Sequence, residues 1–463
     1  MAYNFDIIVI GGGPAGYAAA IRAGQLKKLT LCIEREKLGG TCLNWGCIPT
    51  KALLDSGAFV RQLHRAGDWG VSFDNLKIDF SAMIARSRGI ADKLSKGIAH
   101  LFRKYEVKHE EGTATVLGAN RVRLTTGAGS REVTAEHIII ATGARPRPLP
   151  GADFDREKII TSREAMNLKI QPKHLAIIGA GAIGCEFADF YNAIGTKVTI
   201  IEMLDNVLPN EEEECSLVLE RSFAKRGIEV MTKTKTDKVE TTADGVKLTV
   251  SGAKGVSTIL ADKVLIAIGV TGNIEDVIDK DLKLEIFKGH IKTDGKYQTS
   301  VPGIWAVGDV IGPPWLAHVA HHEAIACIDT IFGQHVHEVN YKMVPGCTYT
   351  HPQVASMGMT EKQARADGRE VKIGKFPFSA SGRAMAAGST EGFVKLIFDA
   401  KYGALLGVHM VGDNVTELLA ELVVAQKLET TEDEILSAMH PHPTLSEAVM
   451  EAAGAAVGRA IHI

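Results

Sequence analysis

Residues 5–24 read FDIIVIGGGPAGYAAAIRAG, an apolar run followed by a glycine-rich turn and a run of small residues. The apolar run predicts a buried β-strand, and the alanine-rich run predicts a helix. Residues 174–195, HLAIIGAGAIGCEFADFYNAIG, repeat the same order of segments. The motif glycines of the second copy follow those of the first by 168 positions, as Gly179 follows Gly11. The sequence therefore predicts two copies of one strand, turn and helix unit, each crossing over to a second, parallel strand.

The glycines of the first copy occupy the positions that a dinucleotide-binding turn requires. Gly11 permits the turn, Gly13 lets the backbone approach a pyrophosphate, and Gly16 allows close packing of helix and strand. The N-terminus of the helix attracts the phosphate anion. Glu34 ends the next apolar run and can accept hydrogen bonds from ribose hydroxyls. A tight turn without a ligand is the alternative for the glycines alone, but their context favours nucleotide binding.

The second copy indicates which nicotinamide nucleotide binds there. Its glycines are Gly179, Gly181 and Gly184, and Glu202 follows them where Glu34 follows the first set. An NADP site would need a cation at this point for the extra phosphate, whereas a carboxylate repels that phosphate and accepts from a free 2'-hydroxyl. The sequence therefore predicts NAD.

These two units, together with changes in the pattern of expected strands and helices along the chain, define four expected domains. Residues 1–147 hold the first unit, with a helical insertion at 45–105, and residues 148–272 hold the second unit. Residues 273–343 should pack back on the first domain. Residues 344–463 contain strands followed by helices, which predicts an α+β domain. The expected fold class is α/β, with two Rossmann-like dinucleotide-binding domains and a C-terminal α+β domain.

Length and charge limit the organisation and the partners of the chain. At about 100 to 200 residues per domain, 463 residues predict roughly three or four domains. The 52 basic and 55 acidic side chains give a formal charge of -3, which provides no broad positive field for nucleic acid or an anionic membrane. No apolar run reaches the roughly 18 to 20 residues that span a bilayer. We therefore expect a soluble protein without nucleic-acid or membrane partners.

The cysteines and the N-terminus bear on the compartment. The seven cysteines are scattered and odd in number, so a framework of structural disulfides is not expected. The chain enters its first strand at Phe5 without a secretory signal. A reducing compartment fits these features. Cytoplasm is the default, although a mitochondrial or plastid protein whose transit peptide had been removed would look the same.

Residues 38–54, LGGTCLNWGCIPTKALL, carry a cysteine pair suited to redox chemistry. In an undistorted helix the Cα atoms of Cys42 and Cys47 would lie roughly 9 Å apart, beyond the reach of a disulfide. The residues that would favour a bend are Gly39, Gly40, Gly46 and Pro49. A pair bridged after such a bend would open and close by thiol exchange. The alternatives are two buried thiols or part of a metal site, but no second cysteine pair with zinc spacing is present.

Taken together, the motifs resemble the class I pyridine-nucleotide disulfide oxidoreductase family over essentially the whole chain. The matching segments are GGTCLNWGCIPTK, the two glycine turns, ATG at 141–143, GIWAVGD at 303–309 and HPHPTLSE at 440–447. The resemblance implies FAD on the first domain, NAD on the second, and a homodimer formed through the C-terminal domain.

The resemblance also implies residue roles. Cys42 would exchange with the substrate, and Cys47 would face the flavin. Lys51 would pair with Glu186 near the flavin ring, although a surface lysine is the plain alternative, and Asp309 would hold the ribityl chain. No metal site is implied. The further positions implied to contact cofactors are Gly112, Ala141, Thr142, Gly143, Val239, Gly269, Leu316, Ala317 and His318.

The segment HPHPTLSE suggests a proton acceptor. His442 matches the catalytic base of the family, and Glu447 matches the carboxylate that orients it. A histidine can take a proton from a dithiol near neutral pH and return it. Thr444 and Glu447 also fit a helix capping box, which is the alternative role for Glu447. His440 is expected to be a loop residue rather than a second base.

The resemblance is strongest to family members that oxidise dihydrolipoamide, so we expect NAD-dependent oxidation of this dithiol. The expected partners are lipoyl domains of 2-oxo acid dehydrogenase complexes or the lipoyl protein of glycine cleavage. The alternatives are a glutathione or mercuric reductase, against which Glu202 and the lack of a C-terminal cysteine pair argue, and a mainly binding component of a lipoyl-bearing assembly.

Two departures from the family pattern affect this expectation. The family usually has a basic residue after the strand that ends at Gly269, whereas this chain continues Val270, Thr271, Gly272, Asn273. The missing cation leaves the NAD contacts there open. Trp315 stands where the family commonly has a smaller apolar residue beside the flavin, with an effect on flavin access that the sequence does not give.

Overall fold

The computed structural model describes residues 3–463. The chain forms two compact units. The first contains the residues up to Leu53 together with Asp79–Arg147 and Gly269–Val339, and the second contains Leu54–Ile78, Pro148–Ile268 and Asn340–Ile463. Each unit is described by itself. The boundaries of the four expected domains stay a prediction.

The first glycine turn lies at the carboxyl end of a central strand of a mostly parallel sheet. Its strands β3, β2, β1 and the C-terminal half of β6 run parallel in that order, and the N-terminal half of β6 continues into an antiparallel meander with β5 and β4. The strands are β1 Phe5–Ile10, β2 Thr30–Glu34, β3 Lys108–Glu111, β4 Thr113–Gly118, β5 Arg121–Thr126, β6 Gly129–Ile140 and β7 Ala144–Pro146. The helices are α1 Pro14–Gln25, α2 Gly40–Trp45, α3 Cys47–His64 and α4 Phe80–Lys104.

The second glycine turn is built on a fully parallel sheet, with strand order β11, β10, β9, β15 and β8. A separate three-stranded antiparallel sheet, β12 to β14, is inserted before β15. The strands are β8 Ile159–Ile160, β9 His174–Ile178, β10 Lys197–Ile201, β11 Glu229–Met231, β12 Lys235–Thr241, β13 Val246–Gly252, β14 Gly255–Ala261 and β15 Lys263–Ile266. The helices are α5 Ser162–Ala165, α6 Ala182–Ala193 and α7 Glu213–Lys225.

The chain then returns to the first unit. Its strand β19 adds to the first sheet parallel to β6, and its helix α8 packs on α1. The close packing is possible because α1 presents small buried residues such as Ala19 and Ala23 to its neighbours. The elements are β16 Val270–Gly272, β17 Ile286–Phe287, β18 His290–Ile291, β19 Ile304–Ala306 and α8 Ala317–Ile331.

The C-terminal part is an antiparallel sheet, ordered β20, β21, β24, β23 and β22, with helices packed on it. The apolar run of β23 is buried throughout most of its length, as expected for a strand covered on both faces. The strands are β20 Gly346–Thr348, β21 Gln353–Gly358, β22 Val371–Pro377, β23 Phe393–Asp399 and β24 Leu405–Gly412. The helices are α9 Glu361–Ala366, α10 Gly382–Ala386, α11 Val415–Lys427, α12 Glu432–Ser437 and α13 Glu447–Ala456.

This architecture confirms the expected fold class, since both repeats form a strand, turn and helix that lead to a parallel strand, and the C-terminal part is α+β. The helical insertion appears as α3 and α4. Within residues 3–463, no helix combines the length and the apolarity needed to cross a membrane.

Candidate active site

Both glycine turns have backbones that a larger residue could not adopt. Gly11 has φ +104°, and a Cβ built on it would lie 2.3 Å from the carbonyl oxygen of Ala141. Gly179 has φ +101°, and its Cβ would lie 2.4 Å from the carbonyl oxygen of Ala267. A side chain would therefore be both strained and in collision at these two positions.

The remaining glycines of the two turns either pack closely against backbone or leave the N-terminus of a helix uncovered. Gly16 and Gly184 pack against the carbonyls of Gly11 and Gly179, where a Cβ would come within 1.8 and 2.0 Å. A Cβ on Gly181 would meet nothing within 4 Å, so this position faces open space. Gly13 and Gly181 are the N-caps of α1 and α6 and offer no side chain to the N–H groups of the first turn. Such helix N-termini fit the pyrophosphate of a dinucleotide.

The carboxylates after the two turns repeat one hydrogen-bond pattern. Glu34 accepts from the backbone N–H of Gly12 at 2.6 Å and of Glu36 at 2.8 Å. Glu202 accepts from the N–H of Ala180 at 2.7 Å and of Leu204 at 2.8 Å. Both carboxylates are buried, and each holds the glycine turn to the end of the neighbouring strand. The structure thus gives them a role in ordering the turn that the sequence did not predict.

The other predicted cofactor residues of the first unit lie after its strands or at the start of α8. Ala141, Thr142 and Gly143 directly follow β6, and Thr142 Oγ1 donates to the carbonyl of Asn273 at 2.7 Å. Gly112 donates its N–H to the carbonyl of Glu34 at 2.9 Å. Leu316 is the N-cap of α8, and Ala317 and His318 are its first residues.

Asp309 follows a glycine that packs on the first helix of the unit. A Cβ on Gly308 would lie 2.9 Å from the Cβ of Ala15 in α1, and the N–H of Gly308 donates to Glu323 at 2.7 Å. Burial raises the pKa of Asp309 to about 6. A desolvated carboxyl directly after a glycine that packs on α1 fits a hydrogen-bonding role toward a cofactor bound there.

The cysteine pair lies at a break between two helices. Helix α2 ends at Trp45, Gly46 has φ -148° and ψ -115°, and α3 begins at Cys47 with Pro49 in its first turn. The thiols of Cys42 and Cys47 are hydrogen-bonded to each other. That contact and burial raise the pKa of Cys42, and the charge of Lys51 opposes them. The bend that the glycines predicted is therefore present, and it brings the two sulfur atoms together.

Tyr17 is a residue of this region that sequence reasoning missed. It lies in α1, packs in the same apolar cluster as Cys42, and meets the ring of His321 edge-on with 5.2 Å between centroids. Burial, with the charges of Cys42 and Cys47, raises the pKa of Tyr17 to about 12. The phenol therefore stays neutral beside the cysteine pair. Its position after Gly16 carries no sequence feature that distinguishes it from a core residue.

The chain has no basic residue directly after Gly269, but the guanidinium of Arg147 lies next to this glycine. A Cβ on Gly269 would lie 3.1 Å from Nη2 of Arg147, and the N–H of Arg147 donates to the carbonyl of Gly269 at 3.0 Å. Contacts across the short β7 and β16 pair thus restore a positive charge near this turn. The ring of Trp315 lies against His290, with 5.8 Å between centroids, and its side chain is partly exposed.

Two predicted residues of the second unit are buried. Glu186 lies in α6 and accepts from the backbone N–H of Tyr349 at 3.0 Å. Its expected pairing with Lys51 stays a prediction. Val239 lies in β12 within an apolar core cluster, where packing accounts for its burial.

His442 and Glu447 form the expected pair within the second unit. His442 Nδ1 lies 2.8 Å from Glu447 Oε1, while Glu447 Oε2 accepts from the N–H of Thr444 at 2.8 Å. These two donors hold the pKa of Glu447 below its usual range, the contact with Thr444 having the larger effect. The N-cap of α13 is Ser446, so the full capping box is not formed, although Glu447 makes the backbone contact of such a box. Its two proposed roles therefore coexist.

His440 lies in the loop, as expected, and is held on both sides. Its Nδ1 contacts the carbonyl of Ala438 at 2.9 Å, and its Nε2 contacts Glu421 at 2.7 Å. Only 6% of its side chain is exposed, against 78% for His442. Of the two histidines, His442 is therefore the accessible one.

Comparison with known proteins identifies the family. Residues 5–324 match the model of the pyridine nucleotide-disulphide oxidoreductases, and residues 344–453 match the dimerisation domain of the same family. The chain belongs to the pyridine nucleotide-disulphide oxidoreductase family. As a member of this family it is an oxidoreductase that carries a dimerisation domain, and the family uses FAD with a pyridine nucleotide.

Individual members of the pyridine nucleotide-disulphide oxidoreductases match over their full length. A protein of Zymomonas mobilis named dihydrolipoyl dehydrogenase is 45% identical over 465 residues, covering 100% of both chains. A protein of Bacillus subtilis with the same name is 40% identical, again covering 100% of both chains. The crystal structure of LpdA from Mycobacterium tuberculosis is 29% identical with a TM-score of 0.90, covering 96% of this chain and 98% of that one.

Proposed function

We propose that this chain is a dihydrolipoyl dehydrogenase, which oxidises protein-bound dihydrolipoamide to lipoamide and reduces NAD. The observation that carries the proposal is the contact between Cys42 and Cys47 across the helix break at Gly46. Two thiols held in this way can close to a disulfide and reopen, which a pair of separate buried thiols could not do. The full-length relatives of this name, 40% to 45% identical, support the choice of substrate.

The dithiol reaction balances within the chain's own residues. One thiolate of dihydrolipoamide attacks Cys42 in the Cys42–Cys47 disulfide, which forms a mixed disulfide and leaves Cys47 as a thiolate. The second thiol of the substrate then attacks the substrate's own sulfur atom in the mixed disulfide. This closes the ring of lipoamide and releases Cys42 as a thiolate. Two electrons have passed from the substrate to the cysteine pair. FAD held at the first glycine turn would supply the relay of these two electrons to NAD.

His442 serves as the proton acceptor for the substrate thiols. Its Nδ1 faces Glu447, which leaves Nε2 on the exposed side of the ring to take a proton. The carboxylate fixes the orientation of the ring and stabilises the imidazolium that forms. Glu447 is fixed in turn by the N–H of Thr444, so the base is held at two points.

The choice of NAD follows from Glu202. Its buried carboxylate accepts two backbone hydrogen bonds at the end of the strand that follows the second glycine turn, where the ribose of the nucleotide is expected. A phosphate dianion beside it would be repelled, whereas a ribose hydroxyl could donate to its remaining lone pairs.

The proposal includes a homodimer in which the cysteine pair of one subunit works with His442 of the partner subunit. The partners outside the dimer are lipoyl domains of 2-oxo acid dehydrogenase complexes or the lipoyl protein of glycine cleavage. The compartment is a reducing one, with the cytoplasm as our choice. The dimer rests on the dimerisation domain, the lipoyl partners rest on the names of the relatives, and the reducing compartment rests on the scattered, odd number of cysteines.

The test compares turnover of the purified flavoprotein with three substrates. Dihydrolipoamide is supplied with oxidised NAD or NADP, and oxidised glutathione and mercuric ion are each supplied with NADH or NADPH. We expect rapid reduction of NAD by dihydrolipoamide and rates at least about 100-fold lower for the other combinations of substrate and nucleotide, the order of discrimination that differences in transition-state contacts provide. Preferential turnover of glutathione or mercuric ion with NADPH would replace the proposal with the corresponding reductase.

A further inference from the structure

Three consecutive side chains of α4 bind the segment that carries the cysteine pair. Arg86 Nη1 donates to the carbonyl of Ala52 at 2.9 Å, and Ser87 Oγ donates to the carbonyl of Pro49 at 2.9 Å. Arg88 Nη1 donates to the carbonyl of Asn44. The first two contacts fall on α3, whereas the third falls on α2, on the other side of the break at Gly46.

The carbonyl of Asn44 is one that the helix cannot satisfy by itself. Asn44 is the penultimate residue of α2, and the last carbonyls of a helix have no N–H partner within it. Asn44 is buried, so an unmet carbonyl there would be costly. A donor from outside the helix therefore lowers the free energy of the broken form relative to a continuous helix through Gly46.

Arg88 lies over Trp45, one of the four residues between the two cysteines. Its guanidinium lies over the ring of Trp45, 5.5 Å from the centroid. The ammonium of Lys37 lies 5.7 Å from the same centroid and is tied to Asp92 at 3.0 Å. Two cations thus hold the indole, and the planar guanidinium can stack on it while it donates to Asn44.

We propose that Arg88 is a positioning residue. It stabilises the bend at Gly46 between α2 and α3, so that the sulfur atoms of Cys42 and Cys47 stay close enough to form a disulfide. Arg88 acts on the backbone of Asn44 and on the ring of Trp45. The inference rests on the proposed redox role of the cysteine pair and goes beyond it, because it assigns the control of the disulfide equilibrium to a residue of α4.

Loss of the guanidinium should lower the effective concentration of one thiol toward the other. Disulfide formation would then be less favourable, and the pair would become easier to reduce. Arg86→Met is the matched control, because it removes a neighbouring guanidinium of the same helix whose contact falls on Ala52 in the regular part of α3.

The test uses the flavin-containing protein equilibrated in buffers of reduced and oxidised glutathione. Each closing pair loses two protons and two electrons to one oxidised glutathione, which yields two reduced glutathione molecules. Differential alkylation of the thiols and mass analysis of the peptide with Cys42 and Cys47 give the fraction closed. For Arg88→Met we expect the equilibrium constant for closure to fall about tenfold, a rise in potential of about 30 mV. Arg86→Met should stay within about twofold of the unaltered protein.

The outcomes separate this inference from the proposed function. An unaltered protein in which Cys42 and Cys47 never close would defeat the proposed redox role itself. A pair that closes normally, with the same constant in Arg88→Met, would overturn the inference alone, as would equal shifts in the Arg86 and Arg88 variants. Arg88→Lys covers the case in which Arg88→Met does not fold, since it keeps the charge without the planar group and should shift the constant in the same direction by a smaller factor.

Discussion

Glu447→Gln should slow dithiol oxidation without disturbing the rest of the enzyme. The carboxylate makes two contacts of 2.8 Å, one to His442 Nδ1 and one to the N–H of Thr444. The amide keeps the shape but offers one oxygen instead of two and carries no charge for an imidazolium. Because its pKa is held below the usual range, Glu447 is ionised throughout an assay range of about pH 6 to 9. The effect of its replacement should therefore be nearly independent of pH there.

The magnitude follows from the lost charge-assisted contact. A hydrogen bond to a charged group is worth about 1.5 to 3 kcal/mol. His442 is 78% exposed in the single chain, so solvent screening favours the lower part of that range. A loss of about 1.5 to 2 kcal/mol of transition-state stabilisation lowers kcat about 10-fold to 30-fold.

A second pair of a histidine with a glutamate of α13 provides the control, Glu451 with His462, which follows the helix. His462 Nδ1 lies 2.8 Å from Glu451 Oε1, the same separation as in the proposed catalytic pair, one helical turn further on. The assay is the rate of reduction by dihydrolipoamide in stopped flow, beside NADH-dependent reduction of ferricyanide, which needs no dithiol. Glu447→Gln should lower the first rate and spare the second, and Glu451→Gln should spare both. Equal losses in the two variants, or an unchanged dithiol rate in Glu447→Gln, would refute the reasoning.

Three further predictions concern other parts of the chain. NAD should be preferred over NADP by at least about 100-fold in kcat/KM, or 2.7 kcal/mol, and Glu202→Gln should narrow this about tenfold; equal use of both nucleotides by the unaltered enzyme would contradict the role of Glu202. Lys395 is buried, and its Nζ lies 2.7 to 3.0 Å from carboxylate oxygens of Glu212, Glu214 and Glu361. Lys395→Met should lower the free energy of unfolding by about 3 kcal/mol. Lys395 lowers the pKa of Glu361, and Lys375 together with Lys395 lowers the pKa of Glu214 against the opposing effect of burial. The stabilisation from Lys395 is therefore full above about pH 4.5 and lost as the pH falls through the folded pKa values of the two carboxyls, so denaturant curves of the two proteins should converge in acid. Finally, mixing inactive Cys42→Ser and His442→Ala chains should restore about one quarter of the native activity, because half of the randomly formed dimers have one intact site; heterodimers without activity would place both groups in one subunit.

The parts of the fold that local patterns specify were predicted well. The apolar runs at 5–10 and 174–178 became β1 and β9, because strands buried in a parallel sheet need continuous apolar sequence. The bend between Cys42 and Cys47 was also predictable, since a regular helix cannot bring the two together.

The parts that depend on distant contacts were not predictable. Arg88 meets Asn44 across 44 positions, and Arg147 meets Gly269 across more than 100, so neither contact leaves a periodic trace in the sequence. Tyr17 resembles any helix residue until its neighbours are known. Glu447 shows a different limit, because capping and orientation of a histidine were weighed as alternatives although a carboxylate has two oxygens and serves both.

The twin carboxylates bear on attempts to redesign cofactor use. Because Glu202 holds the N–H groups of Ala180 and Leu204, exchanging it for arginine removes two acceptors at the same time as it adds a cation for NADP. The N–H of Ala180 is buried, and leaving it without an acceptor costs about 1 to 3 kcal/mol, so the redesigned turn would be destabilised along with its change of nucleotide preference. A laboratory switch of nucleotide should therefore keep Glu202 or an isosteric acceptor and introduce the positive charge on the exposed Met203 or Leu204 instead.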